Sequence, residues 1–120
     1  MKNKSHSESQ IIASEISIFA PHTEIIGNLN LTHETHIYGK ILGELIGPAG
    51  SRVIVKNGAS IEGKITADQI IIEGFMKGDL SANESLKITG HGRVIGNVHA
   101  NNLCIEPGAI FDGKVIPIGT

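Results

Sequence analysis

Gly58-Ala59-Ser60-Ile61-Glu62-Gly63-Lys64 fits the first seven positions of a phosphate-binding loop, G-x-x-x-x-G-K-[ST]. In that motif backbone N–H groups cradle phosphate, the lysine neutralises it and the next hydroxyl binds Mg²⁺. Here the next residue is Ile65, and no helical period follows to aim a helix N-terminus at phosphate. The segment reads as structure, and no nucleotide or other cofactor is expected. Gly90-His91-Gly92 lacks the third glycine of a dinucleotide fingerprint and reads as a corner. Among the six histidines, His33-x-x-His36 and His91…His99 form near pairs. Catalytic zinc needs three convergent ligands, so these read as surface histidines and no metal site is expected. Cys104 sits between Leu103 and Ile105, should face outward, and has no cation beside it in sequence to activate a thiolate. No Ser-His-Asp or paired-carboxylate spacing stands out, so no catalytic residue is expected. Asn30-Leu31-Thr32 and Asn83-Glu84-Ser85 match glycosylation sequons, but no secretion signal accompanies them.

The elements that hold these residues repeat. Leu86, Ile88, Val94, Gly96 and Val98 recur as Leu103, Ile105, Phe111, Gly113 and Val115, each at an offset of 17. The unit has two apolar pieces, Φ-x-Φ (Leu86-Lys87-Ile88) and Φ-x-Gly-x-Φ (Val94-Ile95-Gly96-Asn97-Val98), where Φ is apolar. The second piece occurs six times, centred on Gly27, Gly43, Gly63, Gly78, Gly96 and Gly113, with steps of 16, 20, 15, 18 and 17. A near-fixed period of this length marks stacked repeats. Short alternating pieces rich in β-branched residues, with 15 glycines, read as strands joined by tight bends.

The expected fold is all-β: a right-handed parallel β-helix, or solenoid, of about six rungs with short disordered termini. Steps of 15 to 20 break the strict six-residue period of a left-handed hexapeptide helix, which favours the right-handed form. Each turn should divide into three strands of three to five residues and three corners. Ile61, Gly63 and Ile65 should point inward, stacking on equivalents about 4.8 Å away. Gly63 would either leave room where sheets converge or relax the backbone at a bend. The expected organisation is a disordered tail at 1–15, the β-helix at 16–115 and a short tail at 116–120. Ile46 to Arg52, with Gly47-Pro48 and Gly50, should form a bulging loop.

Composition narrows function. Net charge is −2, aromatic content is 3% and tryptophan is absent. These values exclude a polyanion-binding signature and stacking platforms for nucleic acid. No apolar run approaches the ~20 residues of a membrane span. A single cysteine excludes an intramolecular disulfide framework and suits a reducing compartment. Ile54 and Ile71, with Ile26, Leu42 and Ile95, point outward by the alternation. They are either scattered surface residues or a lateral or partner face.

Six Φ-x-Gly-[Asn/Glu/Lys/Asp]-Φ pieces and the closing Glu106-Pro107-Gly108-Ala109-Ile110-Phe111-Asp112-Gly113 resemble the bactofilins, bacterial polymer-forming cytoskeletal proteins. The resemblance covers about residues 18–115. It implies a β-helix that polymerises end to end without nucleotide, in filaments at the cytoplasmic membrane that position cell-wall enzymes or membrane proteins. The last rung puts Phe111 where the rung before has the smaller Val94, so Phe111, supported by Leu103, Ile105 and Val115, is the expected polymer interface, and the resemblance points the same way. Some members carry an apolar membrane-targeting peptide at the N-terminus; here the first ten residues are polar. Any membrane contact would be weak and would use Lys2, Lys4, Ile11, Ile12 and Phe19. Two readings compete with the structural one: a β-helix enzyme (acyltransferase or zinc hydrolase), and a non-polymerising scaffold for a protein partner.

Overall fold

The computed structural model describes residues 11–12, 16–19, 24–31 and 33–117. They form ten strands: β1 (Ile11–Ile12), β2 (Ile16–Phe19), β3 (Glu24–Asn30), β4 (Glu34–Ile37), β5 (Lys40–Ile46), β6 (Arg52–Val55), β7 (Ser60–Ile72), β8 (Phe75–Ile88), β9 (Arg93–Ile105) and β10 (Ile110–Pro117). Every pairing is parallel. The chain is a right-handed parallel β-helix whose six glycine rungs bound five complete turns. Strands β7, β8 and β9 run 13, 14 and 13 residues, because hydrogen bonding continues through the corners instead of breaking there. The short separate strands expected from the alternation therefore fuse.

Successive rungs stack in register. One inward column is Ile25, Ile41, Ile61, Met76, Val94, Phe111; a second is Leu29, Leu45, Ile65, Leu80, Val98, Val115. The opposite side contributes Ile37, Val55, Ile72, Ile88, Ile105 and, beside it, Val53, Ile70, Leu86, Leu103. From Ile41 to Val98 the members of the first two columns are fully buried. Each such side chain contributes roughly 1.5–3 kcal/mol, so stability accumulates rung by rung along one continuous aliphatic core.

The glycine of each rung does not point inward. Residues Glu62, Gly63 and Lys64 are all exposed between buried Ile61 and Ile65. The backbone bends there, with φ between +132° and +152° at the six stacked glycines. At Gly43, Gly63, Gly78, Gly96 and Gly113 a Cβ would lie 1.7–1.9 Å from the carbonyl oxygen of the glycine one coil before. The glycine is thus needed for both its dihedral and its closeness to a neighbouring backbone. Of the two expected roles, the bend is the one observed.

A second corner falls at Asp68, where the register shifts between Ala67 and Gln69. Its buried carboxylate accepts a hydrogen bond from Gly50 N, and another from Asn83 Nδ2 at 3.2 Å. This ties the loop at residues 47–51 to the stack. Of the expected tails at 1–15 and 116–120, residues 1–10, 13–15 and 118–120 lie outside the described residues, while Ile116 and Pro117 continue β10, paired with His99 and Ala100. Within the expected tail at 1–15, Ile11–Ile12 pairs with Leu29 and Asn30, so strand structure starts before residue 16.

Two substitutions test this frame by thermal denaturation. Gly78→Ala should abolish the native fold or lower its melting temperature by far more than Gly58→Ala. Gly58 also has positive φ (+96°), but a Cβ there meets open space, leaving only ~1–3 kcal/mol of backbone strain. Equal losses at the two sites would contradict the stacked-carbonyl account. Ile65→Asp should cost several kcal/mol, by burying a carboxylate without a partner. A wild-type melting curve for that variant would show that Ile65 does not point inward.

Candidate assembly interface

An inward side chain is buried only if a rung lies on each side of it. Val94, Val98 and Ile88 are fully buried and Leu86 is 1% exposed. Their partners one coil later are Phe111, Val115, Ile105 and Leu103. Val115 is 44% exposed and Ile105 43%, while Leu103 and Phe111 are half-buried against the core. Ile110 and Ile116, which flank the same glycine bend, are also exposed. Among the described residues, β10 pairs with β9 and with no other strand. No described residue pairs with its other edge, and unpaired strand edges are templates for further pairing.

The other end differs. Ile25 and Leu29 on the first glycine rung are buried, with β1 paired to β3 and β2 paired to β4. Among the described side chains, exposed apolar surface is thus concentrated at the later end. Among the described side chains, Ile105, Ile110, Val115 and Ile116 are four of the seven large aliphatics that stand exposed, the others being Ile26, Ile46 and Ile95. The four residues proposed from sequence for this end, Phe111, Leu103, Ile105 and Val115, lie together on the terminal rung. Ile110 and Ile116 were missed, because alternation marks them as outward and says nothing of what lies beside them.

The apolar residues read as either scattered or a lateral or partner face do not form one column. Ile54 pairs with Ile71, and Ile26 with Leu42, on different strand ladders. Glu62 and Lys77 separate Ile95 from Leu42 within one column. Ile54 is only 9% exposed, flanked in its ladder by His36 and Ile71, and offers little to a partner. Of the expected membrane-contact residues, Lys2 and Lys4 lie outside the described residues. The backbones of Ile11, Ile12 and Phe19 lie in β1 and β2.

The phosphate-loop match falls across a turn and the start of β7. Gly58 is in the turn, Lys64 is exposed beyond the glycine bend, and Ile65 is in the core. The amides of Ala59 and Ser60 donate to the carbonyls of Lys56 and Gly39. His36 Nε2 donates to Glu34 Oε2 at 2.6 Å, which holds the Glu34 carboxyl below its usual range. Among the described residues no group of three or more His, Cys, Asp or Glu is placed to hold a metal ion. Cys104 is exposed, as the alternation requires, with Lys87 as its ladder neighbour. Lys87 itself faces Glu106, at 3.2 Å. No described helix is long and apolar enough to cross a membrane.

The bactofilin family, described as polymer-forming cytoskeletal, matches residues 17–116. The chain is a bactofilin. A curated relative, Bactofilin BacP of Myxococcus xanthus (strain DK1622), is 27% identical over 99 residues. The match covers 82% of this chain and 40% of that protein, so this bactofilin spans less than half the length of its relative. No solved structure matches the chain. The glycine-centred rungs and the terminal rung all fall within the region that defines the family.

Proposed function

We propose that the protein is a structural subunit that assembles with copies of itself through its terminal rung into filaments, without nucleotide and without catalysis. The concentration of exposed aliphatics on that rung carries this reading. Burying four large aliphatic side chains is worth several kcal/mol at roughly 1.5–3 kcal/mol each, set against an association cost of ~4–15 kcal/mol. Backbone pairing along β10 adds to the favourable side.

The residue order on this rung favours the meeting of like ends. Ile110-Phe111-Asp112-Gly113-Lys114-Val115-Ile116 is nearly symmetric about Gly113 in polarity and opposite in charge. Two copies laid antiparallel about Gly113 place Phe111 opposite Val115, and Asp112 opposite Lys114, of the second copy. Such an interface is self-complementary, as a two-fold junction requires. Family membership supports a cytoplasmic, cytoskeletal role at the cell membrane, scaffolding cell-wall enzymes or membrane proteins. Lys2 and Lys4 add ~1 kcal/mol each near an anionic surface, so membrane contact is weak per subunit and builds up through repetition along the filament.

Two experiments test this reading. Phe111→Arg places an unpaired charge in the junction and should give soluble, folded monomers or dimers by sedimentation and electron microscopy. Long filaments from this variant, with a wild-type circular dichroism spectrum, would refute assembly through the rung. Deleting residues 1–10 should leave filaments intact but reduce co-sedimentation with anionic liposomes. Equal pelleting of full-length and truncated protein would remove any membrane role for that segment.

A further inference from the structure

The third corner of the coil varies from turn to turn. At Lys56–Ala59, Thr89–Gly92 and Glu106–Ala109 the chain makes a four-residue turn, closed by an N–H to carbonyl bond of 2.9, 2.8 and 3.1 Å respectively. Between the first two, the chain turns within Glu73-Gly74, whose amides both donate to Val55 O at 2.7 and 3.0 Å. Gly74 is needed for so tight a corner, since a Cβ would lie 2.4 Å from Lys56 O and 2.7 Å from Ala59 O. This is why the step from Gly63 to Gly78 is the shortest, 15 residues.

The turn missing from that coil leaves a notch of about 480 Å³ between the turns that flank it. That size lies within the ~300–1,000 Å³ of ligand clefts. Asn57 and Gly58 form one bank and His91 the other, while Gly74 and Gly92 are buried in the floor. Phe75 is half-buried and stands in one column with Ser60, Arg93 and Ile110. The floor has no side chains, so an incoming main chain can approach closely. None of the described lining residues is acidic, and Arg93 is exposed and engaged in no ion pair with a described residue. The neighbouring carboxylates are already matched, Glu73 by Lys56 at 3.5 Å and Glu106 by Lys87. The notch therefore joins an aromatic wall to unmatched positive charge.

We propose that this notch docks an extended acidic segment of a partner protein, with an apolar side chain against Phe75 and a carboxylate on Arg93. Charge complementarity selects this occupant. The notch lies within a single subunit and does not rest on filament assembly. The test begins with a phage-displayed random heptapeptide library, panned on the wild-type protein and counter-selected on an unrelated one. Enriched sequences should carry Asp or Glu within two positions of a large apolar residue. A synthetic peptide of that sequence should bind Phe111→Arg subunits and wild type alike in fluorescence anisotropy. It should lose about ten-fold or more in affinity on Phe75→Ser and on Arg93→Glu, and exchanging its acids for lysine should restore binding to Arg93→Glu. Arg93 is exposed, so that variant keeps the test readable even if Phe75→Ser does not fold. No enrichment, enrichment of basic peptides, or binding indifferent to Arg93→Glu would overturn the proposal. So would a change in filament bundling with Arg93→Glu and no peptide effect, since the occupant would then be a second copy of the chain.

Discussion

The structure depends on a close contact between backbones. Along one edge of the solenoid six glycines stack with positive φ, and at five of them any side chain would strike the glycine carbonyl one coil before. The contact fixes where each coil bends and which residue lies over which. Once glycine lies on glycine, the residues two before and two after it must face the core on every rung. The aliphatic columns follow from that alignment. A slip of one residue would turn those side chains to solvent and put a Cβ into the carbonyl. Register is therefore guarded twice, by burial and by steric exclusion.

With the bend fixed, the rest of each coil is free to vary in length. The turn at 56–59 is long, the corner at 73–74 is short, and the loop at 47–51 is held by the Asp68 carboxylate. Such variation costs the core little, because insertions and omissions occur at corners where no inward column passes. It changes the outer surface instead. The notch beside Phe75 is a consequence of one short corner, and the exposed terminal rung is a consequence of columns that continue to Phe111 and Val115 with nothing described beyond them. Both features come from the same repeat, one where it shortens and one at its last described rung.

Much of this was legible in the sequence. The six glycine-centred pieces predicted the rungs, their register and the inward aliphatics, because a parallel stack repeats one pattern per coil. The terminal apolar residues were legible for the same reason. The direction of the glycines was not, since alternation assigns Gly63 inward and a positive φ leaves no mark beyond the residue itself. Nor was the notch, which depends on the difference in length between neighbouring corners. Asp68 resembled any polar corner residue, and its role required knowing that Gly50 lies opposite. Ile54 was expected on the surface, but alternation specifies direction and not what the adjacent coils cover.

On this reading the edge of β10 that no described strand pairs is closed by another subunit in the filament. Hydrogen–deuterium exchange of assembled protein, resolved to the amides of Ile110–Pro117, tests it directly. The account predicts that amides of β10 exchanging freely in the dispersed subunit become protected in filaments to the level of their β9 counterparts. Filaments in which those amides still exchange at the dispersed rate would contradict it.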